Sequence, residues 1–219
     1  MDVCDIFHQV AVERAVRDAI TDTKTNNREN YVFACESGVV GTAKGNETQI
    51  DGDTLETAYS ICEDKMLLDF HTHPKGDTIP SPNDLISDAF HKPKFSCIYG
   101  TATNAIECFK TKGELAELGD KAKKLYDELD IYTESKRFFE KYEQYFPYDV
   151  KKKILDDYNS IKNNYLNIIE RMNNIIKNKF GSGIVYPVHL LTPNDTVDIY
   201  QPDCSLDNIL PGLVTAQGR

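Results

Sequence analysis

The sequence predicts an α/β protein with a long antiparallel helical hairpin near its C-terminus. Between residues 5 and 110, short apolar runs typical of strands alternate with stretches of helical periodicity. Over residues 112–180, apolar residues instead recur at steps of three and four for many turns, interrupted at Pro147. The first pattern indicates a sheet with flanking helices, and the second indicates two long helices that pack against each other.

The first part of the chain is predicted to begin with a helix and to continue into a strand hairpin. An apolar stripe over residues 5–20 has helical spacing, and the polar segment that follows, up to Arg28, is expected to be a loop. Residues 31–35 and 39–43 are expected to pair as strands around a glycine-containing turn. A polar loop then leads to a short helix over residues 55–62.

The middle of the chain is predicted to contain a buried strand, a helix and two more strands. The first strand spans residues 66–73 and ends at Pro74, which lacks a backbone donor. Residues 82–90 are expected to be helical, because Ser81 suits the N-cap position and a proline follows at the first helical position. The two further strands are predicted over residues 95–99 and 105–109.

The helical segment over residues 112–180 carries apolar seams that require burial. The favoured interpretation is that its two helices pack on each other and on the preceding domain. A partner or dimer surface is the alternative, because tyrosine is frequent along the seams and tolerates partial exposure. After the hairpin, residues 184–190 and 195–200 are expected to form strands, and residues 201–219 a loose tail.

Composition and charge limit the kinds of partner that this protein is expected to bind and the compartment in which it is expected to lie. The net charge is −10 and the pI about 5.0, which disfavours a nucleic-acid partner. No apolar window is long enough for a membrane span and the N-terminal residues lack a signal-peptide pattern, so we expect a cytoplasmic protein. The six cysteines form no CxxC pair, and we expect free thiols, with Cys35, Cys97 and Cys108 buried in strands.

The most informative stretch of the chain runs from His71 to Asp84. Two histidines at i and i+2 on a strand, here His71 and His73, point to the same face. Neutral imidazoles are strong zinc ligands, and Asp84 in the first turn of the next helix can bring a carboxylate back to them. Two histidines and one aspartate leave one tetrahedral position open, as in a catalytic zinc site.

Each residue of this stretch also has a structural interpretation. His73 could be an ordinary strand histidine, Asp84 a carboxylate favoured by the helix dipole, and Ser81 only an N-cap. All of these would have to occur together at fixed offsets, and we therefore favour the metal site.

The spacing His-x-His-Pro, six residues, Ser-x-x-Asp resembles the JAMM motif of the MPN-domain zinc metalloproteases. The motif covers residues 71–84, and the surrounding pattern of strands and helices extends the resemblance over roughly residues 5–110. The resemblance implies a mixed β-sheet flanked by helices, with a deaminase-like core. The expected domains are a catalytic domain over 1–111 and 182–200, a hairpin insertion over 112–180 and a tail over 201–219.

The same resemblance implies a general-base glutamate at the start of the first strand, upstream of the histidines. Glu29 lies just before the strand over 31–35, and Glu36 follows that strand and is the second candidate. We favour Glu29, because the family places this acid before the strand. The hydroxyl of Ser81 would hold the glutamate or stabilise the oxyanion on the scissile carbonyl.

The resemblance implies a Zn²⁺-dependent metalloprotease or isopeptidase that acts near the C-terminus of a ubiquitin-like or sulfur-carrier protein. A non-catalytic MPN-type scaffold is the alternative, although such relatives typically lose the metal ligands. A zinc deaminase would need His-x-Glu with Pro-Cys-x-x-Cys, and the second half is absent from the sequence. A further alternative is a metal-site protein whose main role is assembly through the helical hairpin.

Overall fold

A computed structural model describes residues 1–47, 50, 52–63, 65–141, 147–180, 196–203, 206 and 209. The predicted strand over 184–190 and most of the predicted tail lie outside the described residues. The elements in chain order are α1 (Val3–Phe7), α2 (Val10–Asn26), β1 (Asn30–Cys35), β2 (Val40–Lys44), α3 (Gly52–Cys62), β3 (Met66–His73), α4 (Pro82–His91), β4 (Phe95–Gly100), β5 (Ala105–Thr111), α5 (Gly113–Lys141), α6 (Tyr148–Phe180) and β6 (Val197–Tyr200).

The six strands form one mixed sheet in the order β2-β1-β3-β4-β5-β6, which confirms the predicted α/β class. The strands β3 and β4 pair in parallel, and the other neighbouring pairs are antiparallel. A parallel pair requires a crossover connection, and α4 supplies it. The first turn of α4 therefore comes back towards the end of β3, where the two histidines of the motif lie.

Helices cover both faces of this sheet. On one face, α1 and α2 pack over a cluster that includes Val32 and Phe70. On the opposite face, α4, α5 and α6 pack over Ile98 and Phe109, while α3 packs over Tyr31 and its neighbours. Consecutive residues of β1, such as Tyr31 and Val32, thus belong to different clusters, as strand alternation requires.

The N-terminal helical region differs from its predicted bounds. The chain forms two helices, because an Asp2–Asp5 capping box encloses the short α1 and Gln9 then takes an extended conformation. The second helix continues to Asn26, through the threonine-rich segment expected to be a loop. The hydroxyls of Thr21, Thr23 and Thr25 each donate to the carbonyl four residues earlier, at 2.8 to 2.9 Å, so these polar side chains are satisfied within the helix.

The expectation of free cysteine thiols is wrong, because none of the described cysteines, Cys4 included, is a free thiol. Cys35 at the end of β1 is joined to Cys62 at the end of α3, and Cys97 is joined to Cys108. The second pair lies at directly opposed positions of β4 and β5. Pairing of this kind depends on strand register and tertiary contacts, which cysteine spacing alone does not reveal.

The helices α5 and α6 are antiparallel neighbours. Arg171 forms an ion pair with Glu114, and the rings of Tyr126 and Tyr165 lie 6.1 Å apart. Near the sheet the seam is buried, with Leu115 and other apolar side chains inside the cluster on α4. Farther from the sheet, apolar side chains reach solvent, among them Ile131 (66% exposed) and Tyr148 (79% exposed). None of the described helices is both long and apolar enough to cross a membrane.

Two buried side chains lie in the segment predicted to be a loose tail. Leu206 and Ile209 pack into the cluster beneath α1 and α2. The chain after β6 is therefore anchored to the core at these two positions.

Candidate metal centre

The last three residues of strand β3 place His71 and His73 on the same face of the sheet, because side chains alternate along a strand. Their Nε2 atoms lie 3.1 Å apart. Thr72, between them, points to the opposite face and is fully buried, where its hydroxyl accepts from the amide of Asn30 at 2.8 Å and contacts Thr23. Thr72 therefore packs into the core on one face of the strand, while the two histidines are available as metal ligands on the other face.

The first turn of α4 supplies the third donor. Ser81 is the N-cap, and its hydroxyl accepts from the amide of Asp84 at 3.3 Å. The Asp84 carboxylate accepts from the amide of Ser81 at 2.6 Å, which completes a capping box and fixes the carboxylate. In this position Asp84 Oδ1 lies 3.4 Å from His71 Nε2, and Oδ2 lies 3.7 Å from His73 Nε2.

The spacing of these three donors fits a tetrahedral zinc ion. Zinc–nitrogen and zinc–oxygen bonds of about 2.0–2.1 Å place tetrahedral ligand atoms about 3.3–3.4 Å apart. The three separations of 3.1, 3.4 and 3.7 Å scatter around that value. The residue types and their geometry therefore suit Zn²⁺, with one coordination position left for a ligand or water.

The loop after β3 fixes the orientation of His73. Its Nδ1 lies 3.0 Å from the carbonyl oxygen of Asp77, so Nδ1 donates and Nε2 keeps its lone pair for a metal. The carbonyl of His73 accepts from both the amide and the hydroxyl of Thr101, each at 3.2 Å. Gly76 permits the tight return of the loop, because a Cβ there would lie 2.9 Å from the Cβ of His73.

Glu29 lines the same cavity as the three donors and is only 9% exposed. The strands β1 and β3 are antiparallel with Tyr31 opposite His71, so Glu29, two residues earlier, stands level with His73. Burial raises the pKa of the Glu29 carboxyl above its ordinary value, although the nearby histidines oppose that rise. A carboxyl whose pKa is raised holds a transferred proton more readily, which suits proton transfer beside a metal site.

Glu36, the second candidate for the base, lies at the other end of β1. Its side chain is exposed, and its amide donates to the carbonyl of Lys65, just before β3 begins. Seven residues of extended chain, about 23 Å, separate it from Glu29. Glu29 is thus the candidate that the fold brings to His71 and His73.

The histidines and carboxylates inside the cavity shift one another's pKa values. Burial alone would lower the pKa of His71, but the carboxylates of Asp84, Asp69 and Glu29 outweigh it and raise that pKa to about 9. Burial alone would raise the pKa of Asp84, but the two histidines outweigh it and hold that pKa well below its usual range. At neutral pH the metal-free site therefore holds His71 as an imidazolium, and a metal would have to displace its second ring proton.

The sequence did not identify Asp69, which lines this cavity, or Tyr59, which contacts Asp69, as residues of the site. Asp69 lies on the same face of β3 as the histidines, and its carboxylate accepts a hydrogen bond from the hydroxyl of Tyr59 on α3. Burial raises the pKa of Asp69 to about 6. A signal was present for Asp69, because it is a charged residue inside an apolar run and shares the parity of His71 and His73. Nothing local points to Tyr59, whose contact with Asp69 depends on the packing of α3.

Comparison with known proteins gives no independent assignment of this centre. No family model, curated protein or solved structure matches the chain. The function of this centre is therefore inferred from the geometry of its residues and from the motif.

Proposed function

We propose that this chain is a zinc-dependent hydrolase of the JAMM type that cleaves a peptide or isopeptide bond. The observation that carries the proposal is the set of three donor separations between His71, His73 and Asp84, which matches tetrahedral zinc. The buried carboxyl of Glu29 in the same cavity supports it, because hydrolysis at zinc needs a base beside the metal.

Each of these residues has a distinct task in the proposed reaction. His71, His73 and Asp84 would hold the zinc, which when bound lowers the pKa of water towards about 7 and polarises the scissile carbonyl. Glu29 takes the proton of the attacking water and delivers it to the leaving amine. Ser81 Oγ accepts from the Asp84 amide, which leaves its hydroxyl proton available to stabilise the oxyanion.

The substrate and the setting come from the motif resemblance alone. It suggests a ubiquitin-like or sulfur-carrier protein whose C-terminal tail enters as an extended chain. It also suggests that α5 and α6 are an insertion in an MPN-type, deaminase-like core. A cytoplasmic location stays a prediction, and disulfides such as Cys35–Cys62 and Cys97–Cys108 are more typical of oxidising compartments.

A non-catalytic scaffold is the second candidate function. The observation in its favour is the exposure of Ile131, Tyr148 and Leu155 on the part of the hairpin remote from the sheet. In that case the hairpin would bind a protein partner or a second copy of the chain, and the metal site would be vestigial.

The cleavage activity of the wild type and of the variant Glu29→Gln separates the hydrolase from the non-catalytic scaffold. Glu29→Gln keeps the shape of the side chain but cannot accept a proton, so we expect zinc content to stay at the wild-type level. Cleavage of ubiquitin-like fusions, measured on gels and by mass, should fall by about 10²-fold or more. Glu36→Gln is the matched control and should retain activity. Full activity of Glu29→Gln would contradict the assignment of the base, and no cleavage by zinc-loaded wild type would favour the scaffold.

A further inference from the structure

Glu107 on β5 is a charged residue between apolar neighbours, and it has no task in the proposed reaction. The neighbours, Ile106 and Cys108, are buried in the cluster beneath α1 and α2. Glu107 lies on the other face of the sheet, because Ile98 of β4 pairs in register with both His71 and Glu107. The half-buried Glu107 is therefore on the same face as the metal donors, two strands and about 10 Å from His71 between backbones.

The carboxylate of Glu107 accepts a hydrogen bond from the hydroxyl of Thr78 at 2.6 Å. Thr78 lies near the middle of the loop that connects β3 to α4, and it is only 3% exposed. A buried hydroxyl needs a hydrogen-bond partner, and a bond to a carboxylate is stronger than a bond between neutral groups. The bond between Thr78 and Glu107 therefore anchors the middle of this loop to β5.

The anchored residue shares a peptide group with the carbonyl that orients His73. The carbonyl of Asp77 and the amide nitrogen of Thr78 belong to one planar unit, so they can only rotate together. That carbonyl accepts a hydrogen bond from His73 Nδ1 at 3.0 Å. The Asp77 carboxylate also accepts from the amide of Ile79 at 3.0 Å, which holds the chain in a tight local turn. The position of Thr78 therefore sets the direction in which the Asp77 carbonyl points.

We infer that Glu107 is a positioning residue for the metal site, because through Thr78 it keeps the Asp77 carbonyl aligned with His73 Nδ1. The inference rests on the proposed zinc function, since a proton held on Nδ1 leaves the lone pair of Nε2 for the metal. Glu107 lies outside the motif over 71–84. The motif therefore supplies the metal donors, while a more distant strand fixes the orientation of one of them.

Two measurements on the full chain test this role, for the wild type, Glu107→Ala, Thr78→Val and the double variant. Nitrogen-15 NMR of the zinc-free protein at about pH 8 distinguishes a His73 ring protonated on Nδ1 from one protonated on Nε2. Competition with a chromophoric chelator gives the zinc dissociation constant. Glu107→Gln is the conservative variant, because its amide oxygen can still accept from Thr78. Val16→Ala is the stability control, because Val16 is buried on the opposite face of the sheet.

Glu107→Ala and Thr78→Val should each raise the zinc dissociation constant about tenfold, the lower end of the effect of residues that orient a ligating histidine. The double variant should also lose about tenfold rather than about a hundredfold, because both substitutions break the same hydrogen bond. Each of these variants should increase the fraction of His73 that is protonated on Nε2. Glu107→Gln and Val16→Ala should keep the wild-type tautomer and the wild-type zinc affinity.

The positioning role is refuted if Glu107→Ala keeps either the wild-type tautomer or the wild-type zinc affinity. It is also refuted if the two single effects add in the double variant, or if Val16→Ala weakens zinc binding as much. Thr78→Val decides by the same two measurements if Glu107→Ala does not fold. Failure of the proposed function looks different, because the wild type would then bind no zinc, while the tautomer of His73 in the zinc-free variants would still show whether Glu107 orients it.

Discussion

Gly100 lies directly against the backbone of the loop after β3, so its replacement tests how firmly that loop holds His73. Gly100 is the last residue of β4. A Cβ at this position would lie 2.7 Å from the amide nitrogen of Thr78 and 2.8 Å from the Cα of Asp77. These are backbone atoms, and a normal contact needs about 3.5 Å, so Gly100→Ala requires the loop to move by about 1 Å.

This movement has two consequences, one for stability and one for metal binding. Overpacking against backbone should lower the free energy of unfolding by about 1–3 kcal/mol. It should also displace the carbonyl of Asp77, which accepts from His73 Nδ1 at 3.0 Å. Loss of such a bond to a ligating histidine typically weakens metal binding by about 10–100-fold, and we expect an effect in that range.

The assay measures zinc affinity and stability separately. The zinc dissociation constant is obtained by competition with a chromophoric chelator, and the unfolding free energy by denaturant titration of the zinc-free protein. Gly41→Ala is the control, because its Cβ would press on the ring of Phe33 near the far edge of the sheet. It should lose stability and keep its zinc affinity. A Gly100→Ala protein with wild-type zinc affinity would refute the role assigned to the loop.

The remaining predictions concern Asp88 and His71. The Asp88 carboxylate accepts hydrogen bonds from Ser96 Oγ at 2.6 Å and from the amide of Thr111 at 2.8 Å, and so links α4 to the sheet. In denaturant titration, Asp88→Asn should lower the free energy of unfolding by about 2–4 kcal/mol, and it should also weaken zinc binding. An unchanged free energy of unfolding would contradict this. Because the pKa of His71 is raised to about 9, zinc binding at pH 7.5 should release about one proton. Calorimetry in buffers of different ionisation enthalpy measures this release, and a binding reaction that releases no proton would contradict the prediction. Because that pKa is raised by folding, His71 should stabilise the zinc-free protein below about pH 6.5 and lose this contribution as the pH rises through about 9.

The elements that form the candidate metal site could be predicted because their signals are local. The strand over 66–73 has the predicted bounds, since its apolar run and its terminating proline lie within nine residues of one another. The start of α4 was also predicted, because N-cap serine and first-position proline are strong signals within one turn. Strand parity alone then placed His71 and His73 on one face.

Features that depend on distant parts of the chain could not be predicted in this way. The Cys97–Cys108 disulfide requires the register of β4 with β5, and the Tyr59–Asp69 hydrogen bond requires the packing of α3. The extension of α2 to Asn26 was missed for a different reason. Its threonines satisfy their hydroxyls on helix carbonyls, which a polarity pattern cannot distinguish from a loop.

Zinc content per chain, measured by elemental analysis on protein purified without chelator, decides whether His71, His73 and Asp84 form a zinc site. We expect about one zinc per wild-type chain and almost none in Asp84→Ala. Ser81→Ala is the matched control, because it removes the N-cap hydrogen bond and leaves the three donors in place, so it should retain zinc. A folded wild-type protein without zinc would rule out this metal site, as would equal zinc content in the wild type and Asp84→Ala.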